Sequence, residues 1–160
     1  TTFISTISEI KVVSTERFTR VGGERVQTTV AMDFGRITLT DGDVLHLYGT
    51  PGQERFDFMW EILSEGMLGL VVLVDGSRPE TFTDAVRIIE SFSRFADAPV
   101  VVGLTRPDSP AFVGVETAAE RLGCEDVVEC DARRLRDVKD TLLSLLEKLM
   151  EKSDAEERAC

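Results

Sequence analysis

Strands and helices alternate along this sequence in an order that predicts an α/β fold with a mostly parallel sheet and one antiparallel edge hairpin. Three observations carry that expectation. Leu68 to Asp75 is a nearly continuous apolar run, the pattern of a strand buried on both faces of a sheet. Further strand-like runs at Val100 to Leu104 and Val127 to Cys130 are each followed by apolar residues at helical spacing. Ahead of all of these, Asp41-Gly42-Asp43 supplies hairpin turn chemistry between two strand-like stretches.

The opening Thr1 to Ile10 places Phe3, Ile4, Ile7 and Ile10 at helical spacing, but the pattern begins with no capping residue before it, so a preceding segment is expected. Ser14 to Gln27 is polar and carries Gly22-Gly23, as expected of a connection. Val30 to Thr40 and Val44 to Tyr48 then form the two arms of the hairpin. After the loop Gly49 to Gln53, the residues Phe56, Met59, Trp60 and Leu63 mark a helix that Gly66 can end. Beyond Leu68 to Asp75 the order is a helix from about Glu80 to Phe95, a strand Val100 to Leu104 and a helix about Val115 to Leu122. A strand Val127 to Cys130 and a helix from about Leu135 to Lys152 complete it. Residues 1–152 read as one domain, and 153–160 as a charged C-terminal tail expected to fray. In such a fold the ligand loops lie at the carboxyl ends of the parallel strands.

Eighteen basic and 29 acidic side chains leave a formal charge of -11, which opposes binding to nucleic acid or an anionic membrane and favours a small ligand or a protein partner. Cys124, Cys130 and Cys160 are odd in number and lack metal-ligand spacing, so they predict neither a disulfide framework nor a zinc site. A reducing cytoplasm suits them. The longest apolar run is far too short for a bilayer, and no integral membrane segment is expected. The single histidine, His46, alternates with Leu45 and Leu47 and reads as a partly exposed strand residue rather than a base.

The richest chemistry follows the hairpin, where Gly49-Thr50-Pro51-Gly52-Gln53-Glu54-Arg55-Phe56 runs straight into a helix. Gly52 permits a backbone N–H to approach a terminal phosphate, and Gln53 beside it can orient an attacking water; an ordinary Gly-Pro turn is the plainer alternative. The stretch resembles switch II of Ras-superfamily P-loop GTPases, where Asp-x-x-Gly-Gln leads into Glu-Arg-Phe. Other elements of that family fall in the same order along nearly the whole chain. Thr29-Val30-Ala31-Met32-Asp33-Phe34 looks like switch I, with Thr29 as the threonine that closes over magnesium and the γ-phosphate and Thr28 as its competitor in register. Thr105-Arg106-Pro107-Asp108 stands where the family has Asn-Lys-x-Asp. There Asp108 would accept hydrogen bonds from the guanine base and Arg106 would lie over it, while Thr105 cannot copy an asparagine amide. As a bare loop residue, Asp108 would instead bond its own backbone.

Glu129-Cys130-Asp131-Ala132-Arg133 sits where the family has its Ser-Ala-Lys loop, whose alanine N–H, here that of Ala132, would meet guanine O6, although a plain strand-to-helix turn also accounts for it. Asp75 ends its strand where the family has an aspartate of structural use. Thr1, followed by Thr2, matches the last residue of the phosphate cradle Gly-x-x-x-x-Gly-Lys-Ser/Thr. The resemblance therefore implies a P-loop, Ras-like three-layer sandwich whose first strand and phosphate loop precede residue 1. It also implies Mg2+ with GTP or GDP as cofactor, held by Thr1 and Thr29. Gly49 replaces the aspartate that bonds a magnesium-bound water. That departure and the aromatic helix after it are similar to bacterial Ras-like GTPases of the gliding-motility and conservon type, whose partners are roadblock-type regulators. Phe56, Phe58, Met59 and Trp60 suit such an interface, but a helix packed on the sheet explains them more simply. Slow, partner-stimulated GTP hydrolysis is the activity implied. The alternatives are a degenerate G domain that works as an interaction module, and an ATPase on the same scaffold, which Asp108 disfavours.

Overall fold

The computed structural model describes residues 1–14, 19–21, 24–26, 32–40, 42–52 and 57–159. The chain divides into two compact units, Thr1–Met59 and Trp60–Cys160.

In the first unit the elements are α1 (Thr2–Ile7), β1 (Val13–Ser14), β2 (Thr19–Val21), β3 (Glu24–Val26), β4 (Asp33–Thr38) and β5 (Val44–Gly49). The hairpin β4–β5 is antiparallel, with Thr38 opposite Val44 near the turn and Asp33 opposite Gly49 at the far end. Gly42 makes the turn possible: its φ is +86°, a region closed to most side chains, and its N–H reaches the Leu39 carbonyl at 3.0 Å. β1 adds antiparallel to β4, giving the order β1-β4-β5, and β2 and β3 form a separate two-stranded ribbon. Along β5 the exposed Val44, His46 and Tyr48 alternate with the half-buried Leu45 and Leu47. Phe34 lies beside both His46 and Tyr48, with ring centroids 5.5 and 5.2 Å apart, so His46 occupies the exposed structural position its sequence context predicts.

A six-residue helix is too short to persist alone, and α1 is held by what it buries. Phe3 and Ile4 are its buried residues, and Ile4 sits where β4 and β5 present Gly35 and Gly49. The chain leaving α1 is tied back to β4, since the Arg36 N–H donates to Ser8 Oγ at 3.1 Å and the Glu9 N–H to the Arg36 carbonyl at 2.9 Å.

The chain passes into the second unit within α2 (Asp57–Ser64). Then follow β6 (Leu70–Asp75), a 3-10 turn Pro79–Thr81, α3 (Phe82–Ser93), β7 (Val100–Thr105), α4 (Val115–Leu122), β8 (Val127–Glu129) and α5 (Leu135–Ala159). β6, β7 and β8 form a parallel sheet in that order, as the sequence predicts. Alternate residues of these strands point to opposite faces. Val72, Val74, Val102, Leu104 and Val127 pack with Phe82 and Ala85 of α3 and Ala118 and Leu122 of α4. On the other face α5 packs on β6 and β7, with Thr141 and Cys130 close to Gly103. Helices thus cover both faces of this sheet. Burial of each large aliphatic chain contributes about 1.5–3 kcal/mol.

In α2, Met59 and Trp60 are 8% and 1% exposed, and Trp60 stacks on Phe92 at 5.5 Å with the Arg87 guanidinium 5.8 Å from its ring centre. These two residues belong to the core, which supports the packing reading over the interface reading; Phe56 and the Phe58 side chain lie outside the described residues. One boundary departs clearly from expectation. α5 continues to Ala159 through the segment expected to fray. Its last turns are rich in Ala, Glu and Arg, carry no glycine or proline to stop them, and follow a stretch anchored by Lys148 to Asp126 at 2.5 Å and Lys152 to Asp97 at 2.7 Å. No described helix is long and apolar enough to cross a membrane.

A methyl group at Gly35 would run into Ile4 Cγ2 and lie 3.1 Å from Ser8 Cβ. Overpacking of this kind costs about 1–3 kcal/mol. Gly35→Ala is therefore expected to lower the stability measured by urea unfolding by that much while leaving the m-value unchanged.

Candidate functional site

The first unit holds the residues expected at the phosphate and metal end. Thr1 stands at the N-cap of α1, with its carbonyl receiving the Ser5 N–H at 2.9 Å, and Thr2 opens the helix in an exposed position. The Thr1 hydroxyl donates to Asp33 Oδ2. Asp33 is only 4% exposed and is the cross-strand partner of Gly49. A Cβ on Gly49 would sit 2.8 Å from Ile4 Cδ1 and 3.4 Å from Asp33 Cβ, so a side chain there requires the end of Ile4 to shift. The nearest carboxylate is that of Asp33 on the neighbouring strand. The sequence analysis does not single out Asp33, although counting back from the Gly42 turn along both arms pairs it with Gly49. A threonine hydroxyl and a carboxylate are hard oxygen donors of the kind Mg2+ takes, so these residues fit the ion. Among the described residues no three His, Cys, Asp or Glu side chains cluster into a metal site. Gly52 is exposed in the loop after β5. Thr28, Thr29 and Gln53 lie outside the described residues.

The second unit carries the residues expected at the base. β7 and β8 are adjacent and parallel, so the loops leaving their carboxyl ends are neighbours. In the first loop, the Thr105 hydroxyl donates to the Val74 carbonyl at 3.1 Å, which binds it to β6. Arg106 has φ +65°, and the turn it starts closes with the Ser109 N–H on the Arg106 carbonyl at 3.0 Å. Asp108 stands exposed in that turn. Nearby, Asp75 accepts the Ser77 N–H at 3.0 Å and the Ser77 hydroxyl at 2.6 Å, which is the loop-building use expected of it. Burial pushes the Asp75 carboxyl up, and these two bonds outweigh that, leaving it below the usual value.

In the second loop Asp131 is 6% exposed and is held on several sides. Its carboxylate accepts the Arg133 N–H at 3.0 Å, Arg133 Nε at 2.8 Å and Arg133 Nη2 at 2.8 Å, and Arg134 Nε lies 3.5 Å away. The Asp131 N–H donates to Asp137 Oδ2 at 3.0 Å, joining the loop to the first turn of α5. Arg133 also reaches back to Asp108, with Nη2 3.4 Å from Oδ2. The structure thus brings Asp108, Asp131 and Arg133 together around one guanidinium, with Ala132 between the last two in the chain, and places Thr105 and Arg106 on the same loop as Asp108.

This architecture, with candidate ligand loops at the carboxyl ends of a parallel sheet, defines an α/β nucleotide-binding protein of the P-loop NTPase class. A family model described as "conserved hypothetical ATP binding protein" matches residues 6–155, and the chain belongs to that family. It is 29% identical over 140 residues to the Ras-related protein RABC2a of Arabidopsis thaliana, a match covering 80% of this chain and 66% of that protein. An uncharacterized protein of Methanocaldococcus jannaschii is 38% identical over 65 residues, 39% of this chain and 42% of the relative. The chain spans less than two thirds of the length of either relative.

The Arg133 side chain and then its backbone N–H hold the Asp131 carboxyl down at about 2, against 3.8 for an ordinary aspartate. A folded-state value below the unfolded one contributes stability that is complete above the ordinary value and is lost as the pH falls through the folded value. Asp131→Asn is therefore expected to be less stable than the wild type at pH 7, and the gap in urea midpoint should close as the pH falls from about 4 to about 2.

Proposed function

We propose that the natural full-length protein is a guanine-nucleotide switch that binds GTP or GDP with Mg2+ and hydrolyses GTP slowly. The observation that carries this reading is the meeting of the two base-type loops at the carboxyl ends of β7 and β8, with Asp108 held beside Asp131-Ala132-Arg133 by an ion pair. A carboxylate there accepts from guanine N1–H and the 2-amino group, and an adenine would leave it facing the wrong edge. Arg106 covers the base face, and the Ala132 N–H meets O6. Thr1, Thr29 and Asp33 would hold Mg2+, which supplies charge neutralisation for the phosphates. The Gly52 N–H would approach the γ-phosphate and Gln53 would orient the attacking water; as the water oxygen bonds to the γ-phosphorus, the bond to the β–γ bridging oxygen breaks, GDP leaves, and the water's proton passes to the released phosphate. Thr29 and the Gly52 loop are the segments that respond to loss of the γ-phosphate. A protein regulator, of the roadblock type that the resemblance to gliding-motility and conservon GTPases implies, supplies the charge stabilisation that speeds turnover.

A second reading is ATP binding. It is favoured by the family description and by Thr105, whose hydroxyl is committed to the Val74 carbonyl and not to a base.

Titration of fluorescent GDP and GTP against the full-length protein, with Mg2+ present and ATP as competitor, separates the two. Guanine nucleotides should win by about 100-fold or more, as expected where the wrong base would cover the Asp108 acceptor and leave it unpaired. Equal or better competition by ATP would overturn the guanine reading. Asp33→Asn is expected to weaken the Mg2+-dependent part of the affinity by about tenfold to 100-fold. Gln53→Ala should slow single-turnover GTP hydrolysis by about tenfold or more with affinity unchanged.

A further inference from the structure

Resting on the guanine-nucleotide reading, we infer that Arg133 is a base-specificity residue whose outer guanidinium nitrogen reads O6 of the base beside Asp108. Three features lead there. Arg133 is 64% exposed, yet its guanidinium is fixed, because Nε and Nη2 form a two-point fork on the nearly buried Asp131 carboxylate at 2.8 Å each. Such forks set the plane as well as the position of the group. The same plane reaches Asp108, with Nη2 at 3.4 Å from Oδ2. The remaining nitrogen, Nη1, has no hydrogen-bond partner among the described residues, so it brings two unused donors to the edge where Asp108 brings its acceptors.

The chemistry of that edge selects a base. Guanine presents, in order, the O6 acceptor, the N1–H donor and the 2-amino donor. A donor from Arg133 next to the two oxygens of Asp108 complements all three. Adenine presents an amino donor where guanine has O6 and an acceptor at N1, so it opposes donor to donor and acceptor to acceptor. O6 has two lone pairs and can take Arg133 together with the Ala132 N–H. The ion pair also fixes a carboxylate that would otherwise swing in an exposed turn, Asp108 being 60% exposed. In Ras-like proteins an asparagine stands where this chain has Thr105, whose hydroxyl is turned to β6; Arg133 carries base discrimination from the neighbouring loop.

The test is competitive binding of GDP, IDP and ADP to the full-length protein with Mg2+, comparing wild type, Arg133→Met, Arg133→Gln and Asp108→Asn. Methionine keeps much of the aliphatic stem and removes every donor, while glutamine keeps one amide. IDP retains O6 and N1–H and lacks the 2-amino group. Arg133→Met should lose about tenfold or more for GDP and IDP alike, the range of a charged hydrogen bond, with ADP unchanged, and Arg133→Gln should fall between. Asp108→Asn should instead hurt GDP more than IDP. If the wild type prefers guanine but Arg133→Met lowers all three nucleotides equally, or none, the O6 assignment is wrong while the switch reading stands. If the wild type shows no preference for GDP over ADP, the guanine reading fails, and the O6 assignment with it.

Discussion

The second unit depends on the parallel ladder that β7 makes with β6 on one side and β8 on the other. Parallel pairing fixes direction: with all three strands running the same way, the loops after Asp75, Thr105 and Glu129 must leave from one edge of the sheet. Because β7 is central, its side chains are buried on both faces, and Val101, Val102 and Leu104 show no exposed surface at all. That burial gives the strand its rigidity. The loop after it inherits a fixed origin, which is what allows Asp108 to be met by a side chain from the next loop.

Placement of the loops is a matter of packing, whereas their shape is set by carboxylates. Asp131 is the clearer case. A nearly buried charge requires compensation, and here it is surrounded by two arginines and a backbone N–H, so the loop can take only a conformation that keeps them in place. Asp33 acts similarly in the first unit, joining Thr1 to the end of β4. In each case an acid fixes a neighbouring polar group before any ligand arrives, which reduces the ordering cost of binding.

Much of the fold is legible in the residues because it follows from strong patterns. The apolar run of β6, the Gly42 turn and the helical periods of α3, α4 and α5 each state their structure locally. The first turns of α3 are less legible: Pro79 opens a 3-10 turn before Phe82 begins the α-helix, a choice decided by hydrogen bonds that spacing cannot show. The end of α5 misleads because charge suggests fraying where helix propensity decides. For the site, backbone motifs such as Thr105 to Asp108 can be found in order along the chain. The partnerships cannot. Nothing local to Arg133 says that it holds both Asp131 and Asp108, and nothing local to Asp33 says that it lies opposite Gly49 and meets Thr1; both depend on relations between distant positions.

Arg106 has a consequence of a different kind. A side chain other than glycine in the left-handed region costs about 1–2 kcal/mol, and Arg106 sits there at φ +65°. Glycine at that position would relieve the cost, and asparagine most of it. Selection for thermal robustness alone would therefore drift toward those residues. Directed evolution for heat resistance would be expected to change Arg106 before the residues around it.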